Sequence, residues 1–278
     1  MQTIQAVITG AVQGLSEFLP ISSSAHIVFS NKLYSLVTNS GVLAHQEEIF
    51  FDILVHLATL AAVVIYFYND LKTIIKGFFI ALREKNYNSE NYQLITYILI
   101  TTIITGIIGL ILKKPTESLI ESPKIICILL FITGLVLFFS EKKYSGNEKI
   151  SLKKAVLIGI SQGLAIFPGF SRSGLTLACS LFQGLDRVSA ARFSFLASIP
   201  VILLASLVYP LMELDFTQIA NFNLKAMFLG SLTSFIVGYL CIKYFMQLIS
   251  KISLKGFSYY CFIISIVMFL LFQFYYHM

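Results

Sequence analysis

Apolar residues come in long blocks along this chain, with charge confined to the stretches between them. Six blocks, 50–68, 94–112, 124–140, 193–211, 226–246 and 257–276, each approach the roughly 20 apolar residues that a helix needs to cross a bilayer. Two further apolar segments, 4–30 and 155–182, are interrupted by Pro20 and Pro168 and then by hydroxyl residues. Neither reads as a clean span. The pattern predicts an all-α integral membrane protein of six transmembrane helices plus two broken segments, forming one membrane domain over 1–278.

Composition agrees. The chain is 57% hydrophobic and 12% charged, against about 25% charged residues in soluble domains. The N-terminal stretch lacks a basic leader and runs into the first broken segment, so no cleaved signal peptide is expected. Cys127, Cys179, Cys241 and Cys261 sit in apolar blocks without metal-ligand spacing and read as small buried hydrophobes. The net charge of +6 falls in loops, where it sets orientation rather than binding nucleic acid.

The lysines give a topology. Segment 69–93 holds Lys72, Lys76, Arg83 and Lys85; 141–154 holds Lys142, Lys143, Lys149, Lys153 and Lys154; 243–256 holds Lys243, Lys251 and Lys255 with no acid. These three are expected in the cytoplasm. The trio Lys113, Lys114 and Lys124 runs against the pattern. If 155–182 crossed the membrane, the last three basic positions would lie outside. A re-entrant hairpin keeps them inside.

The two broken segments are copies. Residues 6–26 and 155–175 align at a shift of 149 with nine identities, among them Gly10/Gly159, Gln13/Gln162, Gly14/Gly163, Ser22/Ser171 and Ser24/Ser173. Each half, 1–140 and 150–278, is therefore one hairpin plus three spans. Three is odd, so the second half is inverted, with the hairpin tips meeting near the midplane. Irregular backbone at that depth must be buried in protein or line a wet cavity.

The tips carry the chemistry. The first offers Gln13, Glu17, Ser22, Ser23, Ser24 and His26; the second offers Ser171, Arg172, Ser173 and Thr176. Gln13 and Glu17 share a helix face at i, i+4. Arg172 beside hydroxyls, at the opening of a helix after a Pro-Gly break, is suited to phosphate. Ionisable residues at membrane depth are functional by default. Taken singly, each has a structural reading: a Glu17–Arg172 ion pair, a satisfied buried His26, serines for close helix packing. His56 reads equally as a supporting or a structural residue, and Glu47, Glu48 and Asp52 as a solvated rim.

These motifs resemble the undecaprenyl-pyrophosphate phosphatase (bacitracin-resistance protein) family. Gln13-Gly14-Leu15-Ser16-Glu17 fits its Glu/Gln-x-x-x-Glu motif. Within Pro20 to His26, Ser22-Ser23-Ser24-Ala25-His26 fits its Ser-Ser-x-x-His stretch, and Pro168 to Thr176 fits Pro-Gly-x-Ser-Arg-Ser-Gly-x-Thr. Gln13 replaces a carboxylate at the first position. The resemblance implies a divalent-cation-dependent hydrolase of the plasma (inner) membrane of bacteria. It would convert undecaprenyl pyrophosphate to the monophosphate carrier and inorganic phosphate for cell-wall synthesis, giving bacitracin resistance. It also implies a site on the extracytoplasmic side.

In that chemistry Arg172 is the expected clamp, with Ser22, Ser24, Ser171, Ser173 and Thr176 around the phosphate. Glu17 and Gln13 would hold Mg²⁺ or Ca²⁺. His26 is a base or nucleophile, and Ser23 or water is the other nucleophile. The expected partners are the polyprenyl pyrophosphate lipid and the bilayer, and a homo-oligomer stays open. A transporter or flippase of an anionic polyprenyl phosphate is the alternative that the same inverted repeat would serve.

Overall fold

The computed structural model describes residues 1–38, 45–120, 122–142, 146 and 148–275; Lys143, counted above, lies outside them. Helix α1 spans Thr3–Phe18 and α2 Ser23–Thr38; α3 is His45–Tyr66, α4 Tyr68–Arg83, α5 Glu90–Ile120 and α6 Pro123–Lys142. In the second half α7 is Leu152–Leu164, α8 Arg172–Phe182, α9 Arg187–Glu213, α10 Leu224–Leu248 and α11 Lys255–Tyr275, with a short 3-10 turn over Phe216–Asn221.

Among the described residues, six helices are long and apolar enough to cross a membrane: α3, α5, α6, α9, α10 and α11. They coincide with the six apolar blocks. At 1.5 Å per residue, the 11 residues of α8 cover about 16 Å, well short of the roughly 30 Å hydrocarbon core. α1, α2 and α7 are also short of it.

These four short helices form two hairpins. In the first, Tyr34 Oη donates to Gln2 Oε1 at 2.6 Å, Thr9 Oγ1 to Asn31 Oδ1 at 3.1 Å and Ser23 Oγ to Glu17 Oε2 at 2.8 Å, a ladder that requires antiparallel helices. In the second, Glu148 N donates to Gly184 O at 2.9 Å and closes its base.

The two bases lie at opposite ends of the bundle. Met1, Glu47, Lys113, Glu213 and Asn223 share one end through Met1–Glu47, Asn223–Met1 and Lys113–Glu213 contacts. Asp70, Glu90, Glu141, Lys149, Arg187 and Arg192 gather at the other. All three lysine-rich segments therefore share an end. α3 runs from the first end to the second, and its counterpart α9 runs back. The hairpins point at each other from opposite ends of the bundle.

Packing shows the same exchange. α1 makes its most extensive contact with α10, and α7 makes its most extensive contact with α5. Equivalent glycines carry both interfaces: Gly10 and Gly14 lie on Gly230, Ser234 and Gly238, while Gly159 and Gly163 lie on α5 at Ile104 and Ile108. Small residues let membrane helices approach closely. A Cβ on Gly10 would overlap the Gly230 carbonyl, whereas one on Gly106 meets nothing within 4 Å. Gly10→Ala should therefore cost about 1–3 kcal/mol, read as an earlier thermal melt in detergent. Gly106→Ala should melt like the parent; equal melts for both would show that the α1–α10 contact is slack.

The structure departs from the sequence reading at 69–93. That stretch reads as a basic loop but holds α4, joined to α3 through Phe67 alone. Ile74 and Ala81 are buried and pin it down, while its charges had masked the helical periodicity.

Candidate active site

The second helix of each hairpin starts in the same way. Ser22 and Ser171 precede α2 and α8 and cap them: Ser22 Oγ accepts from Ala25 N at 3.3 Å and Ser171 Oγ from Gly174 N at 3.0 Å. Each cap also meets the hydroxyl two residues on, Ser24 or Ser173, at 3.2 Å. The bends before them use positive φ, 71° at Ser22 and 105° at Gly169. Gly169 backs directly onto the α6 main chain at Ile126, so a side chain is excluded there twice over.

The two starts face each other. Ser173 Oγ donates to Leu19 O at 2.9 Å and Gly169 N to Ser24 Oγ at 3.4 Å, tying tip to tip. Thr133 on α6 supports the second tip, accepting from Ser171 N at 3.3 Å and donating to Gly169 O at 3.2 Å. Thr176 points the other way, onto Ser194 of α9 and the Arg172 carbonyl.

Glu17 sits between the tips with 6% of its side chain exposed. Its Oε1 accepts from Arg172 Nη2 at 2.5 Å. Its Oε2 accepts from Ser23 Oγ at 2.8 Å and from Gln13 Nε2 at 3.0 Å. Ser23 and Arg172 are equivalent positions of the repeat, so the same first-turn residue of each copy reaches the one carboxylate. Glu17 itself is unmatched: its counterpart is Ile166. The duplicated frame therefore builds a single site.

Two buried polar atoms here have no partner among the described residues: Arg172 Nη1 and Gln13 Oε1. An orphaned buried donor or acceptor costs about 1–3 kcal/mol, and both lie beside the helix starts. The caps take Ala25 N and Gly174 N, which leaves the amides of Ser23 and Ser24 in α2 and of Arg172 and Ser173 in α8 without an acceptor in their own helices. The tips thus offer anion donors from two directions, with one carboxylate and one free amide oxygen between them.

His26 lies elsewhere. Its Nδ1 is 2.7 Å from Ser22 O and its Nε2 2.9 Å from Tyr260 Oη, and the two rings stack at 5.6 Å. Since the carbonyl only accepts, Nδ1 carries the proton and Nε2 accepts from the tyrosine. The imidazole beside Glu17 is instead His56, with Nε2 3.9 Å from Oε2 and Nδ1 donating to Asp52 O at 2.8 Å. The structure gathers Gln13, Glu17, Ser23 and Arg172, adds His56, and turns His26 of α2 against Tyr260 of α11. Tyr260 and Thr133 carried no signal in the sequence, because each reaches its tip from a distant span.

The family model for the bacitracin resistance protein BacA matches residues 6–267, a range that contains both tips. The chain belongs to this family. It is 38% identical to an undecaprenyl-diphosphatase of Methanobrevibacter smithii, covering 97% of this chain and 98% of that one. It is 37% identical to one of Saccharophagus degradans, with 94% of each chain covered. An undecaprenyl-diphosphatase 2 of Halalkalibacterium halodurans is 36% identical over 98% and 97%. Archaeal and bacterial members of the family therefore align along nearly the whole chain, hairpins and spans alike.

Proposed function

We propose that this chain hydrolyses undecaprenyl diphosphate to undecaprenyl phosphate and inorganic phosphate, the activity for which its relatives are named. The observation that carries this to the site is the pair of orphaned polar atoms, Arg172 Nη1 and Gln13 Oε1, at the meeting point of two helix starts. A diphosphate supplies acceptor oxygens for the guanidinium and the first-turn amides.

Ser23 is the nucleophile that the hydrogen bonds favour. Its hydroxyl donates to Glu17 Oε2, so the proton passes there as Oγ attacks the terminal phosphorus. The bond to the bridging oxygen breaks, and Glu17 returns the proton to that departing oxygen. Water then attacks the phosphoserine, Glu17 takes its proton and hands it to Oγ, and inorganic phosphate leaves. Arg172 and the amides hold the equatorial oxygens throughout, where charge accumulates. His26, held by Ser22 and Tyr260, fixes the α2 start against α11 and orients the serines.

A divalent cation fits the same place. Glu17 and the free Gln13 Oε1 are hard oxygen donors suited to Mg²⁺ or Ca²⁺. Such an ion would be held by these two residues and would supply positive charge against the diphosphate.

The site opens away from the lysine-rich end. Glu48, Asp52 and His56 recur at i, i+4, i+8 on α3 and mark a polar face from the opposite end toward Glu17. With the lysine-rich end in the cytoplasm, access is extracytoplasmic, across the plasma membrane. Single cysteines at Lys149 and Ala220, in a background free of Cys127, Cys179, Cys241 and Cys261, check this. An impermeant thiol reagent added to intact cells should label Ala220→Cys and spare Lys149→Cys; the reverse pattern overturns the orientation.

The activity is tested by phosphate release from undecaprenyl diphosphate with detergent-purified protein. Release should need Mg²⁺ or Ca²⁺, stop with chelator, and fall at least about 10²-fold in Glu17→Ala. A folded parent with no release under any cation would refute the hydrolase. Release unaffected by Glu17→Ala would refute the site.

A further inference from the structure

Helix α4, Tyr68–Arg83, plays no part in the site. One side of it is fixed. Ile74 is 4% and Ala81 3% exposed, and Gly77 lies against Asn91 at the start of α5. Phe67, buried in the main core, sets its angle to α3. At 100° per residue the remaining surface carries two adjacent arcs, with Asn69, Thr73 and Ile80 beyond the second. Tyr68, Ile75, Phe79 and Leu82 form an apolar arc, exposed by 60%, 48%, 63% and 40%. Lys72, Lys76 and Arg83 form the neighbouring arc, all exposed.

Among the described residues these three cations meet no carboxylate. The helix's single acid, Asp70, lies on the opposite side in an ion pair with Arg192 at 2.9 Å. Apolar and basic arcs side by side, on a helix that leaves the span α3 after one residue, suit neither water nor hydrocarbon alone. They suit the boundary between them, where apolar side chains enter the acyl layer and long basic ones reach headgroups.

We propose that α4 is a membrane-interface helix that recruits anionic lipid headgroups at the lysine-rich end, through Lys72, Lys76 and Arg83 over an apolar keel of Tyr68, Ile75, Phe79 and Leu82. The occupant is the leaflet itself. The apolar arc begins where the span ends: Ile65, 52% exposed at the end of α3, precedes Tyr68 by three residues. The cations are unopposed, and each basic residue near an anionic surface is favoured by about fivefold. This inference is independent of the hydrolase reading.

The chain has no tryptophan, so Phe79→Trp places one reporter on the keel. It is reconstituted in vesicles of mixed phosphatidylcholine and phosphatidylglycerol, with bromine on the chains of one lipid at a time. Phe228→Trp, on the lipid-facing side of α10 at a residue 66% exposed, is the reference. Bromolipid should quench the indole at 79 as it does the one at 228, and aqueous iodide should not.

Brominated phosphatidylglycerol should outcompete brominated phosphatidylcholine by about fivefold or more. The triple change K72Q/K76Q/R83Q should abolish that preference while keeping the quenching. Iodide quenching without bromolipid quenching would overturn the proposal and leave the arc to water or a soluble partner. Equal quenching by both lipids would overturn the headgroup recognition.

Discussion

Arg172→Lys is expected to lower kcat/KM for phosphate release by about 10²–10³-fold, although the charge is kept. The reason is geometric. Arg172 presents two nitrogens to different partners: Nη2 holds Glu17 Oε1, and Nη1 is buried and unpartnered. A lysine has one nitrogen and can serve one of these sites at a time. If it stays with Glu17, the phosphate loses its clamp. If it turns to the phosphate, Glu17 loses the partner that orients it toward Ser23. Either way the loss grows as charge builds in the transition state, so kcat falls more than KM rises. An Arg172→Lys enzyme with near-parental kcat would show that the guanidinium is an ordinary ion-pair partner.

The second large effect is on stability, at the lysine-rich end. Glu141 closes α6 with 6% of its side chain exposed and accepts four hydrogen bonds. Arg187 Nε and Nη2 donate at 3.1 and 2.7 Å, Ser253 Oγ at 3.1 Å and Leu254 N at 3.3 Å. One carboxylate therefore joins α6, the start of α9 and the turn between α10 and α11. Removing one member of a buried pair costs about 3–5 kcal/mol. Arg187 keeps some solvent, 20% of its side chain, so Glu141→Ala should cost about 3 kcal/mol. The cost appears as a lower melting temperature of the purified protein, with phosphate release below the melt retained. Glu141→Gln, which keeps an acceptor for Leu254, should recover part of the loss. A melt unchanged in Glu141→Ala would mean that α6, α9 and α11 hold together by apolar packing alone.

Much of this was legible in the chain because bilayers simplify the code. A span must be about 20 apolar residues long, so the six spans stood out by length alone. The repeat located the tips because the same Ser-x-Ser cap opens α2 and α8, and the odd number of spans per half fixed their opposition. The gathering of Gln13, Glu17, Ser23 and Arg172 follows from tips that meet.

What stayed hidden depends on lateral neighbours. His26 and Ser23 are close in sequence and suggest a nucleophile and its base, yet Tyr260, 234 positions away, holds the imidazole. His56 reaches Glu17 across 39 positions, and nothing in its own segment points there. α4 hid because its lysines look like loop charge until its buried side, Ile74 and Ala81, is known. Thr133 and Glu141 act through hydrogen bonds to distant segments, which leave no periodic trace.

The crossed packing of the hairpins bears on how the protein is made. α1 rests on α10 more extensively than on its own half, and its glycine face, Gly10 and Gly14, is seated there. At about 5–20 residues per second the ribosome takes roughly 10–40 s to travel from one to the other. During that interval Gln13 and Glu17 are already in or near the bilayer, without Arg172 for most of it and without the α10 surface throughout. The first hairpin must wait, outside the hydrocarbon or in the care of the insertion machinery, until the last third of the chain arrives to seat it. Folding defects in α10 should therefore surface as a misplaced N-terminus, more than two hundred residues upstream of the lesion.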